Sequence, residues 1–124
     1  MAARDVPADA VLAGISMGGG IAGDLWAERP EAAGTVFLSG PGPIPEPRPS
    51  GTPVQMHMAR PDLFDSEEFM DGWVAAPNAQ PLTAFRYDRV GHNFLDVGGP
   101  DWDAKAAALC KSRVMAFLDR LNAR

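Results

Sequence analysis

Gly14-Ile15-Ser16-Met17-Gly18 sets a serine between two glycines, where an apolar run gives way to a stretch of helical period. This spacing fits the G-x-S-x-G elbow, a sharp strand-to-helix turn that presents a serine hydroxyl as a nucleophile. Gly14 and Gly18 are expected to relieve crowding in so tight a turn, with Gly19 and Gly20 extending the room into the first helical turn. The same turn aims the backbone N–H of Met17 at any carbonyl attacked by Ser16, which supplies one oxyanion donor. The competing reading is a tight turn with no chemistry.

A serine hydroxyl is a weak nucleophile until a base takes its proton. Only two histidines are available. His57 lies inside an apolar strand pattern and reads as a core or supporting residue. His92, in Val90-Gly91-His92-Asn93-Phe94, lies in a loop just after a strand pattern, which makes it the candidate base. An imidazole in that role needs a carboxylate to fix its tautomer. Asp62 follows the third strand pattern and is the first candidate, with Asp88 next. Asp96 follows the histidine loop, and Asp65 is assigned to a helix cap. The order Ser16, Asp62, His92 is one of the known chain orders for such a triad.

The elements that must hold these residues can be traced along the chain. Residues 10–15 form a continuously apolar run, as in a strand covered on both faces. Residues 18–29 read as a helix with Ile21, Leu25 and Trp26 on one side, stopped before Pro30. Residues 35–38 form a second strand, and Pro41, Pro43, Pro45, Pro47 and Pro49 then impose an extended, stiff loop bordering the site. Strands at 54–58 and 82–87 flank a helix over 65–76, whose opening Asp65 and Glu68 resemble a capping box. A last helix runs from an Asp101 cap to about residue 122 with Ala106, Cys110, Val114, Phe117 and Leu121 as its apolar stripe. Alternation of this kind predicts an α/β fold in three layers, a parallel sheet with flanking helices. All strand C-termini then share one rim, where Ser16, Asp62 and His92 emerge.

The 124 residues carry about one domain's worth of sequence. A net charge of -5 argues against nucleic acid and anionic membrane surfaces as partners. No run approaches the roughly 18 apolar residues of a membrane span, and the start lacks the apolar run of a secretion signal, so the expected location is cytoplasmic. Cys110 is the lone cysteine, read as a buried structural thiol, and no Cys/His cluster or acid cluster suggests a metal. Trp26, Trp73 and Trp102 read as packing aromatics, with Trp102 a second candidate for lining the pocket.

Four segments together resemble the C-terminal half of the dienelactone hydrolase family, within the α/β-hydrolases: residues 14–20, 57–64, 91–94 and 106–117. The resemblance covers nearly the whole chain. It implies a partial α/β-hydrolase fold, with Ser16 as nucleophile, Asp62 as acid, His92 as base, and no cofactor. The family archetype carries cysteine where this chain has Ser16, and an arginine shortly after the histidine where this chain reads Asn93-Phe94-Leu95-Asp96. The implication is therefore the hydrolysis of small-molecule esters or lactones, with thioesterase or amidase chemistry on the same site as the alternative.

In that fold the nucleophile strand sits mid-sheet and the second oxyanion donor comes from an earlier loop. The chain is thus expected to be the C-terminal part of a single domain, with its first strand exposed to self-association. On that expectation the isolated chain is weakly active or inactive. A non-catalytic truncated fragment is the remaining alternative.

Overall fold

The computed structural model describes residues 6–45, 51–75 and 81–123. Within them the order is β1 (Val11–Ile15), α1 (Met17–Glu28), β2 (Gly34–Leu38), β3 (Val54–Arg60), α2 (Glu67–Ala75), β4 (Leu82–Asp88) and α3 (Ala104–Asn122). The strands form one parallel sheet in the order β1-β2-β3-β4. Its register pairs Ile15 with Leu38, Leu38 with His57 and Arg60 with Asp88, so all four C-terminal ends reach the same edge. The chain is α/β, with helices on both faces. Pro47, Pro49 and Ala76 lie outside the described residues.

The two faces follow from the period of two along the strands. On one face Leu12, Phe37, Val54, Met56 and Met58 pack with Ala22 and Trp26 of α1 and Met70 and Trp73 of α2. On the other, Tyr87 packs with Phe94 and with Ala106 and Cys110 of α3. Trp26 and Trp73 are fully buried, and each indole N–H finds an oxygen, Thr52 Oγ1 at 3.2 Å and the Gly42 carbonyl at 2.9 Å. Buried rings of this size dominate a core only when their polar edge is satisfied, as here.

Three local expectations are corrected. The buried stripe of α1 is Gly19, Ala22, Gly23 and Trp26, while Ile21 is exposed. Small residues on that stripe let the helix lie close to the sheet and the proline loop. Strand β1 is not covered on both faces: Leu12 is buried under α1, but Ala13 and Ile15 are exposed, because β1 is an edge strand and α3 lies over the far side of the sheet. Helix α3 is capped by Asp103, whose side chain accepts from Ala106 N–H at 2.9 Å, rather than by Asp101.

Beneath α3 the sheet carries a buried polar layer. His57 bonds Gln55 Oε1 through Nε2 and the Tyr87 hydroxyl through Nδ1, both at 2.7 Å. Because an amide oxygen only accepts, Nε2 holds the proton and Nδ1 accepts from Tyr87. His57 stacks on Phe85, and the Arg113 guanidinium covers that ring at 4.1 Å. Burial, reinforced by the Arg113 charge, lowers His57 from 6.5 to about 4, and burial pushes Tyr87 up to about 12.

A neutral His57 makes folding pH-dependent in a defined direction. Its contribution is fully present above pH 6.5 and is lost as the pH falls toward 4, about 3 kcal/mol for a shift of this size in a buried group. Denaturant titrations across that range should show this loss in the parent, whereas His57→Gln should be less stable throughout and lack the slope. Parallel pH profiles for the two proteins would remove His57 as the cause.

Candidate active site

The elbow is built from a strained serine held by its neighbours. Ser16 caps α1 with φ 53° and ψ -117°, a conformation that L residues rarely adopt. Its N–H donates to the Leu38 carbonyl at 2.7 Å, and its carbonyl accepts from Gly19 N–H at 2.8 Å. A side chain on Gly14 would collide with the Gly18 carbonyl, and one on Gly19 with the Gly40 carbonyl. A side chain on Gly18 would meet open space, so the crowding expected at Gly18 falls at Gly19, where α1 passes the start of the proline loop. Met17 begins α1, so its N–H is among those left without an intrahelical acceptor.

The rim brings the three sequence-selected side chains together. Ser16 Oγ lies 2.8 Å from His92 Nε2, and His92 Nδ1 lies 2.7 Å from Asp62 Oδ2. His92 and Asp62 are buried, with side-chain exposures of 4% and 0%. The other Asp62 oxygen accepts from the N–H groups of Phe64 and Asp65 at 2.8 and 3.1 Å. Two backbone donors therefore fix the carboxylate, which in turn fixes the proton on His92 Nδ1 and leaves Nε2 free to accept from the serine hydroxyl. Asp101 supports the histidine loop by accepting from Asn93 N–H at 3.3 Å, a use found instead of the capping role expected for it. Phe64 stands edge-on to the His92 ring, with centroids 4.6 Å apart.

The remaining candidates go elsewhere. Asp88 is largely exposed and pairs with Arg60 at 3.4 Å. His57 is the buried histidine of the layer under α3, and Cys110 is a buried thiol raised by burial. Trp102 is not among the pocket's lining residues. Helix α2 is capped by Ser66, whose hydroxyl accepts from Phe69 N–H at 3.1 Å and whose carbonyl accepts from Met70 N–H. Asp65, the expected cap, instead faces the cavity beside Ser16.

That cavity measures about 510 Å³ and is lined by Ser16, Met17, Ser39, Phe64, Asp65 and His92, with Pro43 of the proline loop at its border. Sequence reasoning missed three of these, Phe64, Ser39 and Asp65. Ser39 has φ 58° and a buried hydroxyl without a hydrogen-bond partner; a Ser-Gly-Pro-Gly turn at a strand end was the available signal. Asp65 reads as the helix cap because Glu68 three residues on resembles a capping box, but Ser is as good a cap as Asp and Ser66 follows directly.

The family model for the dienelactone hydrolase family matches residues 3–122. The chain belongs to the dienelactone hydrolase family. Membership accounts for the parallel α/β architecture and supports a hydrolase activity in general terms. A comparison with curated proteins found no match. Among the described residues of this family member, no helix is long and apolar enough to cross a membrane, and no group of His, Cys, Asp or Glu is arranged to hold a metal ion.

The packing at the elbow of this dienelactone hydrolase family member separates two adjacent glycines. Gly19→Ala should lower stability by about 2 kcal/mol or more, because its methyl meets backbone rather than a flexible side chain. Gly18→Ala should be neutral or mildly stabilising, since it removes a helical glycine into open space. Thermal unfolding of the two variants checks the pair, and equal losses would contradict the close approach of α1 to Gly40.

Proposed function

We propose that the chain belongs to a cytoplasmic serine hydrolase that cleaves carboxylic ester or lactone bonds, with Ser16 as nucleophile, His92 as general base and Asp62 as the orienting acid. The observation that carries this reading is the hydrogen-bonded chain from Ser16 to His92 to Asp62, joined across 76 and 30 positions of sequence. A surface histidine in a glycine turn would have no reason to be buried against a serine on a strained elbow.

In the proposed reaction Ser16 Oγ attacks the carbonyl carbon while its proton passes to His92 Nε2. Asp62 accepts from His92 Nδ1–H and stabilises the imidazolium that forms. The negative charge that develops on the carbonyl oxygen is met by the Met17 N–H at the start of α1, where the helix dipole also favours it. Collapse of the tetrahedral intermediate expels the alcohol, which takes the proton from His92. Water, deprotonated by the same nitrogen, then attacks the acyl-serine; the second tetrahedral intermediate expels Ser16 Oγ, which takes that proton back from His92 as the acid is released. A missing oxyanion donor costs about 3 kcal/mol in such sites. The open edge at β1 is where we place the further strands, and the loop with a second donor, of a complete hydrolase domain.

A fluorophosphonate probe should label the parent and not Ser16→Ala. Turnover of an activated ester should fall about 10⁴-fold in Asp62→Asn, which leaves the imidazole without the carboxylate that sets its tautomer. Labelling of Ser16→Ala at the parent level would overturn the nucleophile. A panel of thioesters and amides at the same serine distinguishes the other acyl chemistries.

A further inference from the structure

The cavity at Ser16 carries a charged group that the proposed bond making and breaking does not use. Among its described lining residues only His92 and Asp65 are ionisable, and His92 is engaged by Ser16 and Asp62. Asp65 is half-buried, with its carboxyl pressed against the Gly40 backbone so closely that a side chain on Gly40 would strike it. Its backbone N–H is anchored on Asp62, which fixes where the side chain starts. Burial and then the Asp62 carboxylate push Asp65 above its ordinary range, while His92 pulls it down, so it senses both partners of the hydrogen-bonded chain. Beside the polar Ser39 and Asn93, the lining carries two strongly exposed apolar side chains, Met17 and Phe64. Among the described lining residues there is no lysine or arginine to receive an anion.

We propose that Asp65 sets the charge class of the substrate, so that the site accepts uncharged and cationic acyl groups and rejects those bearing a carboxylate. A carboxylate entering this cavity would lose water and meet a fixed like charge, with no lysine or arginine among the described lining residues to pair with. A neutral chain would lie along Met17 and Phe64, and a cation would gain a partner in Asp65. Rejection through a placed like charge is a common way to build specificity, because it leaves the preferred ligand untouched. Asp65 is free for this task because Ser66 caps α2.

The proposal rests on the hydrolytic reading of Ser16, and its test keeps the two apart. At about pH 8, where carboxyl groups are ionised, three p-nitrophenyl esters of similar length are compared: butyrate, hemisuccinate and 4-(trimethylammonio)butyrate. In the parent, kcat/KM for the hemisuccinate should lie about tenfold or more below the butyrate, and the gap should narrow at high salt. Asp65→Asn should close most of that gap and lower the cationic ester relative to butyrate. Asp65→Glu, which keeps the charge, should keep the ranking. Butyrate is the internal reference, so a general effect of the variant on the elbow cancels in the ratio.

The corresponding amides, titrated into Ser16→Ala and followed by the His92 ring protons, give the same ranking without any turnover. Equal shifts for the three amides, unchanged by adding Asp65→Asn, would overturn the role of Asp65. The expected amide ranking in a parent whose Ser16 takes no fluorophosphonate label would uphold Asp65 and overturn the hydrolytic reading alone.

Discussion

Everything at this rim depends on holding Ser16 at φ 53°, ψ -117°. An L residue in such a conformation costs about 1–3 kcal/mol and persists only where its surroundings over-determine it. Here they do: the Leu38 carbonyl takes the Ser16 N–H, the first turn of α1 takes its carbonyl, and bare glycine backbone allows the approaches at Gly14 and Gly19. The elbow is thereby locked between β1, β2 and the start of the proline loop. Its strain is balanced by packing that is itself possible only without side chains.

The same edge of the sheet supplies the other two groups by a different device. Loops after β3 and β4 have no helical or strand partner for their polar groups, so they bond to one another. Asp62 is the hub, accepting from two N–H groups of its own loop and from His92 of the next. Asp101 repeats the device one step outward by holding Asn93. A buried carboxylate is tolerable because each of its oxygens is satisfied. The outcome is an imidazole whose position is set by a hydrogen-bonded chain rather than by apolar packing alone.

The two histidines show how surroundings, not residue type, decide chemistry. His57 is fully buried in the sheet, fixed at both nitrogens by Gln55 and Tyr87 and held neutral near its charged neighbour Arg113. It ties the polar layer together under α3. His92 is almost as buried, but one of its nitrogens meets a serine that faces the cavity. Asp62 and Asp65 divide similarly, one saturated by backbone donors and one facing the open space beside Ser16.

Much of this was legible in the sequence. Apolar runs and helical periods determined the α/β alternation, because backbone geometry repeats at 2 and 3.6 residues whatever the tertiary context. Gly14-Ile15-Ser16-Met17-Gly18 signalled the elbow, a serine among glycines where a strand pattern gives way to a helical one. A parallel sheet then implied one rim for Ser16, Asp62 and His92. Tertiary structure alone chose between residues of equal propensity one or two positions apart: Ser66 over Asp65 as a cap, Asp103 over Asp101, Gly19 over Gly18 as the point of close approach. It also decided that Asp65 and Ser39 line the cavity. Those choices turn on which atoms arrive from distant parts of the chain, and a local pattern carries no record of them.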